Sequence, residues 1–270
     1  MIDYCTILFD ERERVLLPLH INSLRHYAPD TFNIKVSVRP EDTESIELCE
    51  KFGLEVLPHP IYTQLHATLD YKGYRHSGYD TANRLGKLME SCTSDWVVLS
   101  HLDIVWLGHP LNNSGQPGLL PIKHLMTDEY GALGIYPHGS MALNRKAYNG
   151  CHCGFWPLNL AGKHYTIGND SWVDVAGYDE IGKGEGPNWK LIVMNGIDVG
   201  MLLKVEIQSY GYKFYRPGPT MYFHVAGAAY HGPGGTHPGD KRELTEGDIA
   251  VYKEIDARIQ KALVDFARFR

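Results

Sequence analysis

The chain has 270 residues, 43% of them hydrophobic and 21% charged, and its formal net charge is −6. That length suits one large domain or two small ones, and the composition is that of a soluble globular protein. The acidic balance argues against broad binding to nucleic-acid phosphates, and no run reaches the roughly 18 apolar residues of a membrane span. No stable membrane insertion is expected. The start, Met1-Ile-Asp-Tyr-Cys5, has neither the basic nor the apolar region of a secretory leader. Cys5, Cys49, Cys92, Cys151 and Cys153 form no disulfide pattern, so a reduced, cytoplasmic protein is expected. Cys151-His-Cys153 is spaced too tightly for an ordinary structural zinc site.

Strand and helix signals alternate through the first hundred residues. Residues 4–9 read as a strand, and Val15, Leu16, Leu19 and Leu24 then recur at helical spacing between 12 and 27. Residues 34–38 predict a second strand. Pro40-Glu-Asp-Thr43 starts a helix that runs to about residue 52, with Gly53 at the expected cap. A third strand at 54–57, a polar and aromatic loop over 59–75 and a helix over 78–91 lead into the apolar run 96–99. This order predicts a mostly parallel sheet with right-handed crossovers. Neither GxGxxG nor GxxxxGK[ST] is present, so the dinucleotide and P-loop fingerprints are missing.

The run 96–99 delivers His101 and Asp103 with one residue between them. Alternate residues of an extended segment point the same way, at the strand edge where open α/β sheets place ligands. An imidazole and a carboxylate converging there could hold a divalent cation, and the cation a diphosphate. A buried strand that merely ends in a polar turn would look the same. Beyond it, 108–122 reads as a loop, 132–136 and 140–143 as strands, and 150–195 as an irregular stretch. A helix over 199–209 capped by Gly211, strands at 213–215 and 221–225, a glycine-rich loop over 231–239 and a helix from about 246 complete the chain.

Several segments in order resemble family-2 glycosyltransferases of the GT-A fold. Gly78-Tyr-Asp-Thr-Ala-Asn83 is similar to the family's "GxxxAxN" helix, and His101-Leu-Asp103 takes the place of its DxD. His138-Gly-Ser-Met-Ala-Leu-Asn-Arg-Lys-Ala-Tyr148 resembles the "gGa…lfrReay" strand and helix, and Val175-Ala-Gly-Tyr-Asp-Glu180 the "vGGFDE" stretch. Gly196-Ile-Asp-Val-Gly-Met-Leu-Leu-Lys204 resembles "xEDvDLclR", Tyr210-Gly-Tyr-Lys-Phe-Tyr-Arg-Pro217 "aGyklyyvP", and Met221-Tyr-Phe-His-Val-Ala-Gly227 "vvyHxgG". The resemblance implies one GT-A-type nucleotide-diphospho-sugar transferase domain over 1–270, mostly parallel in its central sheet and flanked by helices. Residues 1–105 would be its nucleotide-binding half, 106–245 its acceptor-side half and 246–270 a C-terminal helix.

It also implies an activity: metal-dependent transfer of a sugar from a nucleotide sugar, a UDP-sugar first among them, to a hydroxyl acceptor with inversion. The acceptor could be a glycan, a small molecule, a protein or a modified nucleobase. Asp103 with His224 would hold Mn2+ or Mg2+, and His101, standing where the family has its first acid, would join them; an imidazole favours Mn2+ or Zn2+ over Mg2+. The general base falls on Asp198, with Asp170 as second candidate; Ile197 replaces the glutamate that precedes it in the family. Arg39, Asp42, Tyr79 and Asn83 would join Asp103 on the donor, and Trp172, Tyr178 and Asp179 would face the acceptor. The ends of the first two strands, Leu8-Phe-Asp-Glu-Arg-Glu13 and Val36-Ser-Val-Arg-Pro-Glu-Asp42, depart from the family's "PxyN" and "VDdgStD" and leave the nucleotide open. Two other readings stay open: a carbohydrate- or nucleotide-sugar-binding protein without catalysis on the same fold, and a sugar-nucleotide pyrophosphorylase.

Overall fold

The computed structural model describes residues 1–9, 11–60, 77–111, 122–135, 139–151, 154–155, 201–215, 222–225 and 246–270, without the side chains of 77–80, 201, 202, 204, 205 and 248. Strands β1 (Ile2–Ile7), β2 (Phe32–Val38) and β3 (Glu55–Pro58) alternate with helices α1 (Glu11–Arg14), α2 (Leu17–Tyr27) and α3 (Thr43–Lys51). Helix α4 (Ser77–Ser91) leads into β4 (Trp96–Ser100) and then β5 (Ile104–Trp106). There follow β6 (Tyr130–Ile135), β7 (Ser140–Asn144), α5 (Arg145–Gly150), α6 (Met201–Ser209), β8 (Lys213–Tyr215), β9 (Tyr222–His224) and α7 (Glu246–Asp265).

Seven strands form one sheet in the order β3-β2-β1-β4-β7-β6-β8, and β5 pairs with β9 in a small second sheet. Within the large sheet only β7 runs against its neighbours. This is the mostly parallel sheet flanked by helices that the element order predicts, and strands from both sides of residue 105 share it. Alternation sorts the two faces. Tyr4, Val36, Val38 and Val98 pack with Leu17, Ile21 and Leu24 of α2, whereas Cys5, Ile7, Val97 and Leu99 pack with Leu85, Leu88 and Met89 of α4 and Ile207 of α6. A third cluster joins Leu16 and Leu19 to Val105 and to Ile255, Ile259 and Ala262 of α7.

Local chemistry sets the helix ends. Asp42 caps α3 by accepting from Ser45 N at 3.1 Å. Gly53 and Gly211 close α3 and α6 at φ +63° and +82°, a conformation that costs glycine little. The single helix expected over 12–27 is instead two, α1 and α2. Pro18 sits in the first turn of α2, where its missing N–H would be unpaired anyway; deeper in a continuous helix its ring would clash with the carbonyl four residues back. Sequence spacing also missed β5, since Ile104-Val-Trp106 is too short to read apart from the run before it.

The edge of the sheet away from the candidate site is held by a buried carboxylate. Asp3 is 1% exposed and accepts from Thr93 N at 2.8 Å, Ser94 N at 2.9 Å, Ser94 Oγ at 2.8 Å and Asn33 Nδ2 at 3.0 Å. Burial by itself would raise its pKa, but the hydrogen bonds from Ser94, Asn33 and Thr93 outweigh it and hold the group below 3.8. The carboxylate thus clamps the entry to β4 against β1 and β2. Asp3→Ala, which removes a buried carboxylate that accepts four hydrogen bonds, is expected to lower the unfolding free energy by about 3 kcal/mol; urea denaturation of the two proteins measures it.

Candidate metal and nucleotide site

At the C-terminal end of β4 the chain leaves the sheet through a turn over residues 101–103 before β5 begins. His101 N donates to Gly139 O at 2.8 Å, and Ser100 Oγ to His101 O at 3.0 Å. The turn, not an extended segment as the spacing suggested, brings the two side chains together: His101 Nδ1 lies 3.7 Å from Asp103 Oδ1, with Leu102 buried between them in sequence. The third partner arrives from 121 residues away. β9 pairs antiparallel with β5 so that His224 stands opposite Ile104, and Val225 N donates to Asp103 O at 2.8 Å. His224 Nε2 then lies 3.0 Å from Asp103 Oδ1. The carboxylate is buried, while about a quarter of each imidazole is exposed.

One ligand atom from each of His101, Asp103 and His224 falls within 4.8 Å of the others. Bonds of about 2.1 Å to one ion separate neighbouring ligand atoms by about 3.0 Å in an octahedron and about 3.4 Å in a tetrahedron. The spacings of 3.0 and 3.7 Å from Asp103 straddle those values, so the three residues fit a divalent cation. Two imidazoles and one carboxylate suit Mn2+ or Zn2+ better than Mg2+.

Beneath the triad runs a chain of hydrogen bonds that sequence reasoning did not find. Trp106 Nε1 can only donate, and does so to Tyr4 Oη at 3.0 Å. Ile104 O can only accept, so His20 Nδ1–H donates to it at 2.9 Å, and the neutral ring's Nε2 accepts from Tyr4 O–H at 3.0 Å. Ser23 Oγ accepts from Trp106 N at 2.9 Å. β5, and with it the backbone next to Asp103, is thereby tied to β1 and α2. The only sequence signal was a histidine on the apolar face of α2, between Leu19 and Ile21.

The other expected site residues are more scattered. Arg39 directly follows β2 and is buried. Asp42 spends its carboxylate on the start of α3, accepting from Ser45 and, at 2.8 Å, from Arg14 Nη2. Burial raises its pKa, but Ser45 and Arg14 outweigh this and hold it below 3.8. Asn83 is half-buried on α4, and Tyr79 lies one turn earlier on the same helix. Asp170, Trp172, Tyr178, Asp179 and Asp198 lie outside the described residues. Arg84, beside Asn83, was not anticipated: it is fully buried, donates from Nη1 to Leu8 O at 3.3 Å at the end of β1, and sits 5.5 Å from the centre of the Phe9 ring. An arginine among the apolar positions of α4 was the available signal.

No protein-family model matches the sequence, and no curated protein does. Solved structures do resemble it. A mannosyltransferase from Pyrobaculum calidifontis in complex with GDP-Man and Mn2+ matches at 11% identity and TM-score 0.44, over 85% of this chain and 58% of that one. The glycosyltransferase GlyE of Streptococcus pneumoniae matches at 10% identity and TM-score 0.40, over 97% and 63%. Glucosyl-3-phosphoglycerate synthase from Mycobacterium tuberculosis, in complex with Mg2+ and UDP, matches at 13% identity and TM-score 0.43, over 96% and 79%. The chain spans less than two thirds of the first two proteins. Among the described residues no helix is long and apolar enough to cross a membrane.

The support beneath the triad is sensitive to acid. Burial pushes the His20 pKa down to about 4, against smaller opposing contributions from Ile104 O and Asp103. Unfolding returns the ring to its ordinary value near 6.5, so between those values the unfolded chain binds the extra proton and stability falls as pH falls. The loss from His20 is about 3 kcal/mol by pH 4. Asp3 and Asp42, held below 3.8, lose their contributions only at still lower pH. Denaturation at pH 7, 5.5 and 4.5 is expected to show the decline, and His20→Gln to flatten it.

Proposed function

We propose that the protein is a glycosyltransferase that moves a sugar from a nucleoside-diphosphate sugar to a hydroxyl acceptor. One observation carries this reading: two imidazoles and a buried carboxylate from segments 121 residues apart converge at the C-terminal edge of a parallel sheet. That edge is where open α/β sheets take their ligands, and a divalent cation bound there would neutralise a diphosphate and stabilise it as a leaving group. The segments resembling family-2 glycosyltransferases point the same way. GDP-Man with Mn2+ and UDP with Mg2+, the ligands named for two of the similar structures, belong to the same chemical class.

The residues divide the work as follows. Asp103, with His101 and His224, would hold the cation, whose charge would neutralise the donor's diphosphate. The acceptor hydroxyl attacks the anomeric carbon, the bond from that carbon to the diphosphate oxygen breaks, and the nucleoside diphosphate leaves. On the resemblance, Asp198 is the first candidate to take the hydroxyl proton and Asp170 the second; one in-line displacement inverts the anomeric centre. Trp172, Tyr178 and Asp179 are the candidates to position the acceptor.

Thermal unfolding with nucleoside diphosphates and nucleotide sugars, with and without metal, tests the reading. At about a hundredfold excess over Kd a ligand bound only by the native state adds about 2.7 kcal/mol, roughly 5–10 °C for a chain of this size. The shift is expected to require metal, to appear at lower Mn2+ than Mg2+ concentration, and to vanish in Asp103→Ala. Absence of a metal-dependent shift with every nucleotide would sink the proposal.

A further inference from the structure

The end of β2 carries a cation with an unused hydrogen-bonding edge. Arg39 is 9% exposed, and its Nε and Nη2 have no hydrogen-bond partner among the described residues. These two nitrogens share one side of the planar guanidinium. Their N–H bonds run parallel and suit a group offering two acceptors side by side. Among the described residues no carboxylate pairs with it. A buried guanidinium in this state costs stability, so its retention fits a ligand better than a structural role.

Position narrows what that ligand group is. Arg39 ends β2 and the metal triad follows β4, with β1 between them. Two inter-strand steps of about 4.8 Å place the sites about 10 Å apart along the edge, a span comparable with that from the diphosphate to the base of a nucleotide. Lys35 and Ser37 face the α4 side of the sheet, Ser37 Oγ lying 2.9 Å from His59 Nδ1 and Lys35 Nζ donating to Ser91 O at 3.0 Å. Continued alternation carries Arg39 to the same side, where Arg84 and Phe9 already mark the end of β1. A diphosphate cannot be at the triad and at Arg39 together; the base can.

We propose, on the strength of the nucleotide-sugar reading above, that Arg39 selects the nucleobase of the donor, and that this base presents two adjacent acceptors. Guanine does so with O6 and N7, the pair arginine reads in DNA, and cytosine with O2 and N3. Uracil does not, because its N3–H lies between its carbonyls, and adenine sets its amino group beside N1 and N7 and has no acceptor next to N3 on its free edge. The donor is therefore a guanosine or cytidine diphosphate sugar, rather than the UDP-sugar that the resemblance puts first.

Titration calorimetry of the intact chain in Mn2+ with GDP, CDP, UDP, ADP and inorganic pyrophosphate decides the matter, on the wild type, Arg39→Met and Arg39→Lys. Methionine fills similar volume without the unpaired cation, and its thermal midpoint is expected to equal or exceed the wild type; lysine keeps charge but not the parallel edge. GDP or CDP is expected to bind about 5- to 150-fold more tightly than UDP and ADP, the range of one bidentate contact. Both variants should abolish that preference and leave pyrophosphate unaffected, and the tighter of GDP and CDP names the base. Equal binding of the four nucleotides, a preference for UDP or ADP, or a preference unchanged in both variants would overturn the proposal while leaving the metal site intact. An equal loss of pyrophosphate binding would assign Arg39 to phosphate and overturn it too. If no nucleotide and no pyrophosphate binds, the transferase reading itself falls, and this assignment with it.

Discussion

The pairing of β5 with β9 is the constraint on which the site depends. Three residues on each side, with Ile104 opposite His224 and Val225 N bonded to Asp103 O, set a histidine against a carboxylate made far earlier in the chain. Neither strand belongs to the large sheet, so β5 needs its own anchorage. Trp106, Tyr4 and His20 supply it through a one-way relay of donors ending on Ile104 O. Because Ile104 O can only accept, Nδ1 carries the proton of the His20 ring, and that one tautomer ties the backbone beside Asp103 to α2. Rigid support of this kind is what a preorganised metal site requires.

The two edges of the sheet are built to different ends. At the N-terminal edge Asp3 is buried with four donors pointed at it, and Lys35 lies between it and Glu55 at 4.0 and 3.0 Å. Polar groups there are mutually satisfied and serve the fold. At the C-terminal edge Arg39 is also buried, yet its Nε and Nη2 have no hydrogen-bond partner among the described residues, and Asp103 faces two histidines. Local rules of polar satisfaction hold at the first edge and, among the described residues, lapse at Arg39 on the second. Such lapses are expected where stability is traded for function.

Much of the scaffold could be read from apolar runs. Residues 96–99 announce β4 because a strand buried on both faces needs a continuous apolar stretch, residues 34–38 announce β2 by alternating Ile34, Val36 and Val38 with Lys35 and Ser37, and Gly53 and Gly211 mark helix ends because few other residues tolerate their backbone. The failures have physical causes. Pro18 breaks a helix whose apolar spacing is otherwise continuous, and β5 is three residues long. At the site, one intervening residue suggested that His101 and Asp103 converge, but by an extended segment rather than the turn that does it. His20 and Arg84 were invisible because periodicity weighs apolar residues, and a polar side chain buried by a specific partner looks in sequence like any exposed one. That His224 belongs beside Asp103 followed only from the family resemblance, since no local pattern encodes a pairing across 121 residues.

That separation has a consequence for how the protein is made. Synthesis runs from the N-terminus, and β1 to β4, with the helices between them, are all present once the first hundred residues have left the ribosome. The parallel half of the sheet can then begin to condense, whereas Asp103 has no His224 until more than twice that length has been translated. Closing so long a loop is also entropically dearer than closing the short ones before it. An incomplete chain can therefore hold much of the scaffold but not the triad, and capture of a metal by all three ligands is confined to molecules translated past residue 224.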